Sequence, residues 1–140
     1  MKKTQFGWVV VIISLIVEGL IVYQNANEAI IPVTILLSLI LILFGTLTLN
    51  VTDEYVKFSF GIGLIRGKYK ISNIEICWPM TYFPLGWGIR FRPGVILFNV
   101  SGNKAIKLRV KGKNREIWIG TSYPDEFAAF INSKMKKQPI

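Results

Sequence analysis

The sequence predicts a membrane-spanning α-helical hairpin followed by a small α+β domain. Three observations support this fold class: two long apolar runs near the N-terminal end, a series of short alternating segments with turn residues between them, and one amphipathic stretch near the C-terminal end. We divide the 140 residues into a hairpin at 1–49 and a domain at 50–140. A domain of roughly 90 residues can form one compact core.

The hairpin prediction rests on the apolar runs at 6–23 and 30–49, which the polar segment QNANEA separates. As helices they are roughly 27 and 30 Å long at about 1.5 Å per residue, which matches a hydrocarbon core of about 30 Å. Lys2 and Lys3 flank the first run, the intervening segment has no basic residue, and a basic domain follows the second run. The positive-inside rule therefore predicts two spans in the cell membrane, with both termini cytoplasmic.

Glu18 is an acidic residue within the first apolar run. A carboxylate at this depth costs about 2–3 kcal/mol unless it is protonated, paired or hydrated. In an antiparallel helix pair, Thr34 and Ser38 flank the level of Glu18 and could form hydrogen bonds with it. Two interpretations stay open: a proton or ligand site, and a contact between helices or between copies of the chain.

From residue 46 onward the pattern becomes the alternation of apolar and polar residues that is typical of half-buried strands. The first strand, at 46–52, follows the second helix with almost no linker. Further strands are predicted at 55–60, 64–71, 71–78, 88–92, 95–100, 105–110 and 116–119. They indicate a strongly bent antiparallel sheet or partial barrel.

A C-terminal helix is predicted to cap this sheet. It begins near Ser122 and Asp125, which have the spacing of a capping motif. Its apolar stripe contains Phe127, Phe130, Ile131 and Met135.

The charge of the chain is concentrated in the domain. Two of the 17 basic residues and two of the eight acidic residues precede residue 50, so the domain carries the whole net charge of +9. A basic domain tied to a bilayer favours acidic lipid headgroups over nucleic acid as its partner. Alternatively, these charges serve only solubility and membrane orientation.

Basic residues at alternate positions are the main binding candidates. Segments 66–70 and 90–92 place them on one face of a strand, and segment 107–115 places them on the solvent face of an extended hairpin. Such a face could bind acidic lipids, with about 1 kcal/mol of attraction for each basic residue near the surface. It could also bind an acidic protein, or it could only protect a sheet edge from pairing with another strand. The candidates are Lys68, Lys70, Arg90, Arg92, Lys107, Arg109, Lys111, Lys113 and Arg115.

An aromatic loop at 78–88 provides a second group of candidates, namely Tyr82, Phe83 and Trp87. Aromatic residues in a loop rich in proline and glycine can insert at a membrane interface or form the centre of a protein interface. The alternative, for Trp78 and Trp87, is that they close the end of the sheet as core residues.

The composition argues against an enzyme. The chain has no histidine, the commonest general base and metal ligand, and it has no glycine-rich phosphate loop. Cys77 is the single cysteine and alternates with strand residues, so we expect it in the core. We therefore predict a non-catalytic protein without a cofactor or bound metal.

A series of short motifs lies between residues 71 and 127, within a resemblance that covers about two-thirds of the chain. They are ISNI at 71–74, GWGIR at 86–90, VSG at 100–102, AIKL at 105–108, IGT at 119–121 and PDEF at 124–127. Their order resembles the bacterial pleckstrin-homology-like (PH-like) domains of small membrane proteins with two N-terminal helices. The resemblance implies a bent antiparallel sheet of about seven strands with a C-terminal capping helix, and it implies no catalytic site.

The leading functional hypothesis is a membrane-anchored scaffold that binds acidic lipid headgroups or a membrane protein, within a homo-oligomer. Some proteins of this build are associated with self-immunity to membrane-active bacteriocins, and that resemblance supplies one alternative. A small oligomeric transport component that uses Glu18 is another.

Overall fold

The computed structural model describes residues 1–83 and 87–137 as an α+β fold. Its helices are α1 (Trp8–Tyr23), α2 (Asn27–Phe44) and α3 (Pro124–Lys137). Its strands are β1 (Lys2–Phe6), β2 (Thr46–Val51), β3 (Tyr55–Phe60), β4 (Arg66–Lys70), β5 (Ile74–Thr81), β6 (Gly88–Arg92), β7 (Val95–Asn99), β8 (Lys104–Val110) and β9 (Glu116–Gly120).

The strands form two sheets. The first has the order β1-β2-β3-β4 and is antiparallel throughout, and the second has the order β5-β8-β9-β7-β6 with a parallel β7–β9 pair. Within the described residues the two sheets do not close into a barrel, and nine strands replace the predicted seven or so. The predicted α+β layout is confirmed, and the single bent sheet is replaced by two.

Both sheets contribute to one core because apolar residues alternate along their strands. Leu47 and Phe60 come from the first sheet, Ile106 and Ile119 come from the second, and all four are almost fully buried. Burial of one such side chain contributes about 1.5–3 kcal/mol.

Helix α3 covers part of this core with the predicted stripe. Phe127 and Ile131 are fully buried, and Phe130 and Met135 pack against the core as half-buried residues. Asn132 donates a hydrogen bond from Nδ2 to the carbonyl oxygen of Cys77, with a length of 3.0 Å. This bond connects α3 directly to β5.

The helical pair continues directly from the first sheet. Strands β1 and β2 are antiparallel, with a register that runs from Lys2 opposite Asn50 to Phe6 opposite Thr46. At the next position the Gly7 N–H donates to the Gly45 carbonyl oxygen at 2.8 Å. Helix α1 therefore begins, and α2 ends, where the β1–β2 pair stops.

Helix bounds differ from the predicted spans. Helix α1 begins at Trp8 because β1 takes the residues up to Phe6, and α2 ends at Phe44 because the next residues pair as β2. Helix α2, with 18 residues, is long and apolar enough to cross a membrane by length and composition. Helix α1 is apolar but shorter, with 16 residues.

The strand predicted at 71–78 also shifts. Ile71–Asn73 form a turn of 3₁₀ helix, and β5 occupies Ile74–Thr81 instead. The turn buries the side chain of Ile71, whose N–H donates to the Glu54 carbonyl oxygen at 2.8 Å. Burial of this side chain favours the turn over an extended strand.

The turn between β3 and β4 lies against the end of α2. Gly61 has a φ of +44°, and its N–H donates to the Thr46 carbonyl oxygen at 2.9 Å. A Cβ at this position would collide with the Ile42 carbonyl oxygen of α2. The rings of Phe44 and Phe60 pack beside this contact with centroids 5.9 Å apart.

We expect Gly61→Ala to lower the stability of the protein more than Gly63→Ala. Both glycines have positive φ, which costs an L-residue about 1–2 kcal/mol, but a Cβ at Gly63 meets no atom within 4 Å. Only Gly61→Ala also forces the β3–β4 turn away from α2. Thermal unfolding of the full chain in detergent measures the difference, and equal melting temperatures for the two variants would contradict this close contact.

Candidate functional site

The outer face of the four-stranded sheet forms a groove with a volume of about 790 Å³. Four basic side chains line it: Lys2 of β1, Lys57 of β3, and Arg66 and Lys68 of β4. We call the surface defined by these four residues the basic groove. Polar side chains of Thr48, Asn50 and Ser59 lie between them.

Strand register explains why these residues meet. Lys2 lies opposite Asn50, Asn50 opposite Lys57, and Lys57 opposite Lys68, so one line of side chains crosses all four strands. A second line places Ser59 opposite Arg66. The neighbouring positions of β2 and β3 point into the core, so these lines lie on the outer face.

An aromatic ring lies beside two of the groove's lysines. The Nζ atom of Lys68 is 3.7 Å from the centroid of the Tyr55 ring, and the Nζ atom of Lys57 is 5.6 Å from it. Lys70 lies opposite Tyr55 in the register. Such cation–π contacts hold an ammonium group in place without neutralising its charge.

Of the sequence candidates, Lys68 lines the groove. Lys70 lies two residues further along β4, on the same face of the strand. The sequence did not indicate Lys2 or Lys57 as binding residues, and Arg66 was predicted on the same strand face as Lys68 without being named as a candidate. Lys2 resembled a membrane-flanking charge, although it is part of β1. The alternation of Lys57 and Ser59 along β3 is a signal that could have identified the groove.

The basic residues of the five-stranded sheet lie in a different environment. Glu116 Oε1 accepts from Lys107 Nζ at 3.0 Å and from Arg109 at 2.9 Å. Burial raises the pKa of the Glu116 carboxyl, but the hydrogen bonds from Lys107, Arg109 and Trp118 outweigh it and hold this pKa below its ordinary value. Both basic residues are therefore already paired with a carboxylate.

The remaining basic candidates are spread over two places. Arg90 and Arg92 lie on β6, at the edge of the five-stranded sheet. Lys111, Lys113 and Arg115 are exposed in the β8–β9 turn. Strand β8 ends at Val110, so these three residues do not continue its line of Lys107 and Arg109.

The aromatic loop divides into buried and exposed residues. Tyr82 is 7% exposed and packs with Leu97 and Ala105, so its prediction as an interface residue is wrong. Burial raises the pKa of Tyr82 to about 12, against the opposing charge of Arg92. The exposed side chains are Phe83, Trp87 and also Trp78, for which a core position was the alternative; residues 84–86 lie outside the described residues.

Exposed apolar side chains surround the base of the helical pair. Phe6 and Trp8 lie at the start of α1 with ring centroids 6.1 Å apart. Ile62 and Leu64 lie in the β3–β4 turn, which contacts α2 through Gly61, and they are 68% and 72% exposed. We call Phe6, Trp8, Ile62 and Leu64 the apolar rim.

The two helices make a polar contact at Glu18. Thr34 Oγ1 donates a hydrogen bond of 3.3 Å to Glu18 Oε1, and both residues are half-buried. This partner was one of the two that the sequence indicated. Ser38, the other, is exposed. The contact joins α1 to α2 within the helical pair.

Two features of residues 1–83 and 87–137 bear on catalysis, namely the state of the one cysteine and the grouping of metal-ligating side chains. Cys77 is buried in the core, as expected from its position, and burial raises the pKa of its thiol to about 12. A thiol with this pKa is not ionised near neutral pH and is a poor nucleophile. Among the described residues, no group of three or more His, Cys, Asp or Glu side chains could hold a metal ion.

No family model, curated protein or solved structure matches this chain. The resemblance to PH-like domains therefore stays a prediction.

We expect the stability of the protein to fall as the pH rises from about 9 to about 12. The Cys77 thiol ionises near its ordinary pKa of 9.0 in the unfolded chain but only near 12 in the folded protein, so proton release favours unfolding in this range. Below pH 9 the thiol is protonated in both states, and its contribution to stability is fully present.

Chemical denaturation at a series of pH values measures this effect, with Cys77→Ala as the control. The variant should lose part of the pH dependence and keep the part that Tyr82 contributes, since burial also raises the pKa of Tyr82. Identical pH profiles for the two proteins would contradict the assignment.

Proposed function

We propose that this protein is a non-catalytic membrane protein with two spans, whose basic domain is held against the cytoplasmic leaflet and binds its acidic lipids. The observation that carries the proposal is the junction at Gly7 and Gly45. There both helices leave the same end of the β1–β2 pair without a linker. If the helices enter a bilayer, the first sheet therefore begins at the surface of that bilayer.

The hairpin geometry supports a second span beside α2. The Gly7–Gly45 hydrogen bond joins the two helices at one end and a short turn joins them at the other, which favours α1 crossing the bilayer together with α2. Helix α1 is about 24 Å long at about 1.5 Å per residue. This length is a few Å less than the hydrocarbon core of about 30 Å. Local thinning of the bilayer or the flanking residues compensate for such a mismatch, at a cost of fractions of a kcal/mol per Å.

The apolar rim supports contact between the domain and the leaflet. Trp8 and Phe6 have the ring type that concentrates at membrane interfaces, and Ile62 and Leu64 expose aliphatic surface at the same end of the sheet. The domain behind this rim carries the net charge of +9. Each basic residue near an acidic leaflet contributes about 1 kcal/mol of attraction.

Single-cysteine labelling tests the topology. In a Cys77→Ala background, Gln24→Cys reports on the α1–α2 turn and Ser72→Cys on the domain, because both positions are exposed. A membrane-impermeant maleimide applied to intact cells should label Gln24→Cys, and it should label Ser72→Cys only after permeabilisation. Labelling of both positions from outside would contradict two spans with a cytoplasmic domain.

Lipid dependence of unfolding tests the interaction with the leaflet. We expect the full chain to melt about 5 °C higher in nanodiscs with added phosphatidylglycerol than in pure phosphatidylcholine, because about 1 kcal/mol shifts a domain of this size by about 4–8 °C. High salt should remove most of the difference by screening. Equal melting temperatures at low salt would contradict acidic-lipid binding.

A further inference from the structure

We propose that the basic groove binds the phosphate-bearing headgroup of one anionic phospholipid from the adjacent leaflet. This inference rests on the proposed function and names the site and ligand class within it. The bases concerned are Lys2, Lys57, Arg66 and Lys68, of which Lys2 and Lys57 lie outside the segments that the sequence singled out.

The first argument is charge. Lys57 lies directly opposite Lys68 in the β3–β4 register, and like charges in this position destabilise a sheet. No acidic side chain is among the described residues that line the groove, and no described carboxylate forms an ion pair with any of its four bases. The groove therefore contains an uncompensated positive charge, which an anion would offset.

The second argument is hydrogen-bonding chemistry. Arg66 provides a planar fork of N–H donors that matches phosphate oxygens, and lysine ammonium groups add point charges. Ser59, opposite Arg66, and Thr48 add hydroxyl donors to the groove. A volume of about 790 Å³ lies in the range of small-ligand sites and accommodates a headgroup.

The third argument is position, and it favours a lipid over a soluble phosphate. Gly61 and Ile62 line the groove at the end that contacts α2. Along β3, Ser59 is about 7 Å and Lys57 about 14 Å from Gly61 at about 3.4 Å per residue. A headgroup layer is about 5–8 Å thick, so Arg66, opposite Ser59, lies at headgroup level. The line of the groove's three lysines lies about 7 Å further from the bilayer, where these charges act on a bound phosphate within the screening distance of about 8–10 Å. The acyl chains would remain beside Ile62 and α2.

Native mass spectrometry of the full chain in non-ionic detergent tests this assignment. Phosphatidylglycerol and phosphatidylcholine with identical acyl chains are titrated separately. We expect one phosphatidylglycerol to bind at least tenfold more tightly than phosphatidylcholine. Lys57→Gln with Lys68→Gln should weaken phosphatidylglycerol binding roughly 10- to 30-fold, from about 1 kcal/mol for each lysine.

The matched control is Lys136→Gln with Lys137→Gln, which removes the same charge from two exposed residues at the end of α3. The control should bind within twofold of the original chain. Equal losses in the two double variants would overturn the groove assignment and indicate a generic charge effect. If the Lys57 and Lys68 variant does not fold, Arg66→Gln alone tests the same site.

A competition experiment separates lipid from soluble ligand. Inorganic phosphate or glycerol 3-phosphate that displaces phosphatidylglycerol at equal concentration would overturn the lipid assignment, as would a dimer that excludes lipid from the groove. The melting experiment in nanodiscs tests leaflet binding as a whole, so it can succeed even if the groove assignment fails. If anionic nanodiscs stabilise both double variants equally, leaflet binding stands and the groove is not its site.

Discussion

Main-chain hydrogen bonds between β1 and β2 close the base of the helical pair, and the rest of the molecule is positioned from this point. The register brings Lys2 opposite Asn50, and the bond between Gly7 and Gly45 joins the start of α1 to the end of α2. Because strand passes into helix without a linker on both sides, the orientation of the helices fixes the orientation of the first sheet. The apolar rim and the basic groove follow from that orientation.

The same strands build the core and the groove, and the magnitudes explain how both can exist. Inward residues such as Leu49 and Phe58 are buried, and each contributes about 1.5–3 kcal/mol. A like-charge pair such as Lys57 and Lys68 costs only about 0.2–1 kcal/mol. The core therefore tolerates a line of positive charge on its outer face. This separation also means that groove residues can be changed without removing core contacts.

Local patterns were sufficient for part of the fold. Alternation predicted β3 with its observed bounds, and the apolar stripe identified α3. Alternation did not predict β1. Lys2–Phe6 has one apolar residue and is held by pairing with β2, which is distant in sequence. The register across four strands also depends on residues that are distant in sequence. The sequence therefore indicated Lys68 as a candidate but not the groove that Lys68 lines. Tyr82 was misassigned because its side chain packs with Ala105, which lies on another strand.

The positions of the acidic residues decide where an anion can bind. Glu116 is paired with Lys107 and Arg109, and Asp53 with Lys134, so each of these bases already faces a carboxylate. Screening at physiological salt limits interactions between exposed charges to about 8–10 Å. An anion at this surface would therefore respond to the bases that surround it and only weakly to the net charge of +9. The basic groove is the part of the described surface where basic side chains face one another across the strands rather than a carboxylate.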